Sequence, residues 1–295
     1  MAAPSHVFFP SGIQGLFSAW KSSPDAVLSA GGIEYFRTQG DLKAPLPQSI
    51  ISLDKIAELR RISRTERYLE IGSMVNLSQI IHLGKIVPEV LTLCLEHSGD
   101  PQLRNQASIG GNICNPSRRL DISAPMIALD AQYEFRTSQS ARWVSASRFT
   151  GPSPDGNLQR IFPAPQELLT RVRVPLEPWT FTWYRKFKSP RTNESGGEIL
   201  CILRNEKYIL TDIRVVYSGY TILREKTCET MLAGKRLPLD RKNINAFLDS
   251  WESYLTDLDG EQKAIPPEKA EYFSKELIKT QILNFISTTL MHISD

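Results

Sequence analysis

Two short segments of this 295-residue chain carry the residue types from which a ligand site can be built. The first is Leu28-Ser29-Ala30-Gly31-Gly32-Ile33-Glu34, an apolar run that ends in a double glycine. The second is Arg104-Asn105-Gln106-Ala107-Ser108-Ile109-Gly110-Gly111-Asn112-Ile113. Paired glycines let a backbone take φ > 0 and come close to a ligand. Successive N–H groups in such turns form a concavity that attracts anions, and a helix start adds partial positive charge. Two concavities suit a ligand with two phosphates better than one. Neither segment is diagnostic alone, because a double glycine after a strand is more often a tight turn. The fingerprints GxGxxG and GxxxxGK[ST] are both absent.

Other chemistry is poorly represented. Cys94, Cys114, Cys201 and Cys228 form no CxxC pair, and His6, His82, His97 and His292 are scattered. Zinc and iron–sulfur ligation by this chain are therefore not supported, and no metal site is expected. The cysteines read as thiols without chemistry. No nucleophile–base pair or carboxylate pair stands out either.

The totals narrow the class further. Thirty-five basic residues against 32 acidic give +3, which does not suggest a nucleic-acid face. The cluster Arg60, Arg61, Arg64 and Arg67 reads as the solvated surface of a hairpin. No stretch approaches the roughly 20 apolar residues of a bilayer span, and residues 1–10 lack the pattern of a secretory leader. Cytoplasmic residence is the expectation. A hydrophobic fraction of 41% excludes a disordered chain.

The elements that would position the glycines follow from periodicity. Val7–Phe9 and Ala26–Ala30 read as strands around a helix over 11–20, whose Ile13, Leu16, Phe17 and Trp20 share a face. Ser49–Leu53 and Tyr68–Ser73 read as further strands, with Asn76 or Ser78 capping a helix after them. Pro88–His97 is helical, and Asp100–Asp121 is the most irregular stretch, with two proline turns. Ile122–Asp130 reads as an apolar helix, then a hairpin over Tyr133–Phe135 and Arg142–Val144, then a strand over Glu167–Val174. Pro175 and Pro178 mark a domain boundary. Beyond it come strands Phe181–Phe187, Ile199–Leu203 and Tyr208–Tyr217. Helices follow over Glu225–Ala233, Ile244–Leu255 and Pro267–Met291. The last, with Phe273, Leu277, Ile278, Ile282 and Ile286, is either a core helix or a docking surface.

The order of several segments resembles a known family. Ala-Gly-Gly at 30–32, Ile-Ser-Leu at 51–53, Leu-Glu-Ile-Gly-Ser at 69–73 and Leu-Arg-Asn-Gln-Ala-Ser-Ile-Gly-Gly-Asn-Ile at 103–113 come first. Leu-Asp-Ile-Ser-Ala-Pro-Met-Ile-Ala-Leu-Asp-Ala at 120–131 and Glu-Leu-Leu-Thr-Arg-Val-Arg-Val-Pro at 167–175 follow. Together they resemble the FAD-binding medium subunit of molybdenum hydroxylases, the family of xanthine dehydrogenase and carbon monoxide dehydrogenase flavoproteins. The fit is looser at Tyr184-Arg185-Lys186-Phe187 and Glu229–Gly234. The resemblance implies an α+β chain: a two-subdomain FAD-binding fold of the PCMH/vanillyl-alcohol-oxidase type over 1–178, divided at about residue 60. A smaller α+β domain of the carbon monoxide dehydrogenase flavoprotein type would occupy 179–295.

It also implies roles. Ala30, Gly31, Gly32, Ile33 and Glu34 would form one loop on the FAD pyrophosphate, and Ser108, Gly110, Gly111 and Asn112 the other, through backbone amides. Asp121 matches a carboxylate near the adenosine, or else caps the helix at Ile122. Leu168 matches an apolar flavin contact, and Lys186 a basic residue beside the isoalloxazine or a solvent-facing strand residue. Partner chains would carry molybdopterin (the large subunit) and [2Fe–2S] clusters (the small one), with NAD or another acceptor taking the electrons. Ile33 stands where the family has Thr, and Pro116, Arg118, Arg119 and Leu120 replace small residues. Two other classes fit the same residues. One is a family member without FAD, serving as an assembly module; the other is a free-standing flavin oxidoreductase.

Overall fold

A small parallel sheet opens the chain: β1 (His6–Phe8), helix α1 (Ile13–Ser22), β2 (Val27–Ser29) and β3 (Ser49–Ser52). The computed structural model describes residues 6–33, 47–115, 122–150, 166–188, 195–219, 222–261 and 275–294. Strand order is β1-β3-β2, all parallel, so β1 and β2 need a crossover, and α1 supplies it. Leu16 and Trp20, four residues apart on α1, share a core with Ile51, Leu53, Ile56 and Leu59. Trp20 Nε1 donates to the Ala26 carbonyl at 3.0 Å, which fixes the turn into β2.

A five-stranded antiparallel sheet follows, made of β4 (Ile62–Arg64), β5 (Tyr68–Gly72), β6 (Gln132–Arg136), β7 (Ala141–Ser145) and β8 (Leu168–Pro175). Its order is β4-β5-β8-β6-β7. Leu69, Ile71, Tyr133, Phe135, Val172 and Val174 line its buried face. The other face carries alternating charge: Arg171 bonds Glu134 at 2.8 Å and Glu70 at 3.0 Å, and Arg173 bonds Glu70 at 2.7 Å. Opposite Glu134 and Phe135 of β6, β8 holds one extra residue, Thr170, between Leu169 and Arg171. The Thr170 hydroxyl donates to the Glu134 carboxylate, and its carbonyl accepts from the Ser73 amide at 2.9 Å.

Helices α2 (Leu77–His82), α3 (Glu89–Glu96), α5 (Ile109–Cys114) and α6 (Ser123–Ala128) pack on the buried face, α4 (Pro101–Gln106) lies against α2, and α7 (Ala146–Thr150) follows β7. Asn76, not Ser78, starts α2, through a capping box with Gln79. The stretch expected to be irregular from Asp100 contains two six-residue helices, α4 and α5. Asp100 accepts from the Leu103 amide at 2.7 Å, and Pro101 occupies the first helical position. Proline there starts a helix rather than a turn, because its missing N–H would have no intrahelical partner. Ser108 caps α5 in the same way, accepting from Gly111 at 3.0 Å.

The remaining strands, β9 (Phe181–Lys188), β10 (Ser195–Glu206), β11 (Ile209–Ser218) and β12 (Ile222–Leu223), form an antiparallel sheet in the order β12-β11-β10-β9. Helices α8 (Lys226–Leu232), α9 (Arg241–Glu261) and α10 (Lys275–Ser294) close the chain. Strand alternation sends Leu200, Ile202 and Val216 into the core of the preceding half. Ile199, Cys201 and Val215 face the other way, onto Phe247, Trp251, Ile282, Phe285 and Ile286. The final helix is thus a core helix over Ile282 and Ile286; it starts at Lys275, and Phe273 lies outside the described residues. Arg214 and Arg224 donate to the Ala128 and Ile127 carbonyls at the end of α6, at 2.6 and 2.8 Å, and both pair with Asp130. They add side-chain donors to carbonyls at the helix end and hold the second sheet to the first half. The whole is the α+β arrangement that the sequence implies.

Candidate functional site

A cavity of about 400 Å³ lies where the core of the small parallel sheet meets that of the five-stranded one. Both glycine segments reach it. Ala30, Gly31, Gly32 and Ile33 line one side, Ser108, Gly110, Gly111 and Asn112 another, and Leu168 is also in the wall. Residues 28–33 leave the end of β2, while 108–112 begin α5, so tertiary packing brings together segments about eighty residues apart. Lys186 is not part of the wall. Its ammonium donates to the His97 carbonyl at 3.0 Å, and the next residue, Ser98, is in the wall. Glu34, Asp121 and the substitutions at 116–120 lie outside the described residues.

The four glycines serve different ends. Gly32 alone among them takes a positive φ, +71°. A Cβ on Gly31 would overlap the Gln106 carbonyl, and one on Gly110 would sit 2.7 Å from both the Cβ and the carbonyl oxygen of Ser73. Close backbone packing therefore demands glycine at both. A Cβ on Gly111 would meet only Ser108 Oγ, at 2.9 Å, and Ala30 Cβ, at 3.9 Å. That position is exposed and faces the opposite loop.

Their amides differ as well. Ile109 donates to the Val75 carbonyl (2.9 Å), Gly110 to that of Ser73 (2.8 Å), and Asn112 to that of Ser108 (3.0 Å). Gly111 donates to Ser108 Oγ at 3.0 Å. The amides of Gly31 and Gly32, by contrast, meet no acceptor among the described residues.

The rest of the wall is mostly aliphatic: Leu28, Leu53, Met74, Leu77, Leu103 and Leu169. Glu167 is its only charged member among the described residues, and Arg142 neutralises it through two bonds of 2.6 and 2.7 Å. The bond to Glu167 raises the Arg142 pKa, so the guanidinium stays charged. Cys114 lines the wall as a free thiol whose pKa burial pushes up to about 12, which keeps it neutral. Ser73 Oγ and Asn112 Oδ1 are buried in the wall and bond to nothing among the described residues. Sequence reading missed Ser73, Cys114 and Glu167. The first sits in the quoted run 69–73, but nothing in spacing brings it under Gly110. Among the described residues no cluster of three or more His, Cys, Asp or Glu could hold a metal. No described helix is long and apolar enough to cross a membrane.

The family described as "FAD binding domain in molybdopterin dehydrogenase" matches residues 3–177. The chain belongs to this family. The xanthine dehydrogenase FAD-binding subunit of Escherichia coli O157:H7 is 31% identical over 160 residues, 53% of this chain and 52% of that one. The chain thus spans about half the length of that relative. The nicotine 6-hydroxylase medium subunit of Paenarthrobacter nicotinovorans is 22% identical over 261 residues, covering 85% of this chain and 88% of that one. Among solved structures, carbon monoxide dehydrogenase of Hydrogenophaga pseudoflava superposes with a TM-score of 0.80 at 20% identity, covering 100% of this chain and 98% of that one. That likeness carries the fold.

The residues present fit the family's cofactor. The cavity volume falls in the range of ligand sites, roughly 300–1,000 Å³. Aliphatic walls suit flat rings, and open amides at Gly31 and Gly32 suit phosphate oxygens. The two unbonded polar atoms, Ser73 Oγ and Asn112 Oδ1, are the kind of buried group that a polar ligand completes.

Proposed function

We propose that this chain is the FAD-binding electron-transfer subunit of a molybdenum-containing hydroxylase or dehydrogenase in the cytoplasm. Its partners are a molybdopterin-binding large subunit and a [2Fe–2S] small subunit. The single observation that carries the reading is the meeting of both glycine segments at one cavity within the stretch that matches the FAD-binding family. FAD supplies electron transfer between iron–sulfur clusters on a partner chain and NAD or another acceptor. The chain's own residues bind and orient it. Gly31 and Gly32 offer free amides to the diphosphate from one side, with Ala30, Ile33 and Glu34 completing that loop. Ser108, Gly110, Gly111 and Asn112 border it from the other. Leu168 would pack against the flavin, Lys186 would be the basic residue beside the isoalloxazine, and Asp121 would be the carboxylate near the adenosine.

The test is to express the full chain, record its visible spectrum and identify the cofactor released on denaturation. About one FAD per chain is the expected yield for a single cavity of this size. A colourless protein that also refuses added FAD would overturn the reading and leave an assembly module. Co-purification with a cysteine-rich chain and a molybdopterin-binding chain is expected. Recovery as an active flavoenzyme without them would replace the subunit with a free-standing oxidoreductase.

A further inference from the structure

We propose that Ser73 is a further cofactor-binding residue, its hydroxyl donating a hydrogen bond to a phosphate oxygen of the FAD diphosphate. The inference rests on the FAD reading above and adds a ligand outside both glycine loops. Ser73 follows β5 and is held at both ends of its peptide unit. Its amide donates to the Thr170 carbonyl at 2.9 Å, and its own carbonyl accepts from Gly110 at 2.8 Å. Those bonds fix the backbone from which the hydroxyl projects. The residue is 4% exposed and lines the cavity, and nothing among the described residues bonds to its Oγ. A buried hydroxyl left so costs folding free energy that a bound acceptor returns.

Three features decide what that acceptor is. The amides of residues 109–112 are already used within the protein, so an anion on that side must be met by side-chain donors. Ser108 Oγ accepts from Gly111 and keeps its own proton free to donate, and Ser73 supplies a second such proton next to Gly110. Ile33 on the facing loop has no hydroxyl to offer. The second unbonded polar atom in the wall, Asn112 Oδ1, only accepts, so a contact from that side chain to a phosphate oxygen would have to come from its Nδ2.

The experiment compares the full wild-type chain with Ser73→Ala, measuring affinity for FAD, ADP and riboflavin and the melting temperature of the FAD-free protein. Removing a donor to a charged oxygen should weaken FAD and ADP by roughly tenfold or more, with riboflavin unchanged. The FAD-free variant should melt no lower than wild type, since it no longer buries an unbonded hydroxyl. Unchanged FAD affinity overturns the proposal, as does an equal loss for riboflavin, which would move the contact away from the phosphates. A lower melting temperature with FAD affinity intact overturns it too, by making Ser73 structural. Wild-type protein that binds neither FAD nor ADP overturns the cofactor reading itself, and this proposal with it.

Discussion

At the first glycine segment, Gly32 turns with φ +71° and the amides of Gly31 and Gly32 find no acceptor among the described residues. At the second, Gly110 and Gly111 belong to a short helix, and every amide from 109 to 112 already donates within the protein. One loop is a set of open donors; the other is a closed turn edged by hydroxyls. They share a double glycine because each has one residue pressed against backbone, Gly31 on Gln106 and Gly110 on Ser73. A glycine pair therefore reports crowding before it reports a ligand.

The largest effect should come from the crowded members. Gly31→Ala must displace the Gln106 carbonyl, and overpacking of this kind costs about 3 kcal/mol. Thermal melting should fall accordingly, with FAD lost as well; an unshifted melting curve would break the distinction between crowded and open glycines. Gly111→Asp should do the reverse. It brings a side chain and a negative charge to an exposed position facing Ala30, so FAD retention should be abolished while melting of the FAD-free protein stays near wild type. A variant that still purified with full FAD would misplace the site.

A smaller, pH-dependent effect tests how the second segment is anchored. Gly110 bonds Ser73, Ser73 bonds the Thr170 bulge, and Thr170 bonds Glu134. Burial by itself would raise the Glu134 carboxyl. Hydrogen bonds from Arg171 and Thr170, with the charges of Arg171 and Arg136, outweigh it and hold the pKa below its ordinary value. A carboxylate depressed in the folded state stabilises it above the ordinary carboxylate pKa of about 4, and that stability fades as pH falls through the lowered value. The melting difference between wild type and Glu134→Gln should accordingly be large at neutral pH and shrink in acid. A gap independent of pH would show that the carboxylate's charge plays no part. The smallest change is expected at Ile33→Thr, where one added hydroxyl on the open loop should tighten FAD by about fivefold. Weaker binding would mean that Ile33 contributes apolar contact rather than a missing donor.

Much of this was legible because periodicity is local. The inward residues of β5 and β8 alternate, and the apolar faces of α1 and α9 recur at helical spacing, so their existence follows from the chain alone. The two glycine runs were equally visible, and the order of segments tied them to one ligand. The amide accounting was not: whether Gly111 donates to Ser108 or to a ligand depends on the Ser108 cap of a six-residue helix, too short to show a period in the sequence. Ser73 was hidden for a related reason. Its hydroxyl matters through the Thr170 bulge, an extra residue set by pairing across about 35 positions, which no short window of sequence contains.

The sheet of β9–β12 gives Leu200, Ile202 and Val216 to one core and Ile199, Cys201 and Val215 to another. The consequence is hereditary as much as mechanical. The core of residues 3–177, the stretch by which the family is recognised, is completed at that seam by Leu200, Ile202, Val216 and Ile222. A recombination that exchanged this stretch for a relative's would bring a foreign surface against Leu200 and Val216. It would also part Arg214 and Arg224 from the helix end they were fitted to. A substitution on one side of the seam is therefore felt on the other.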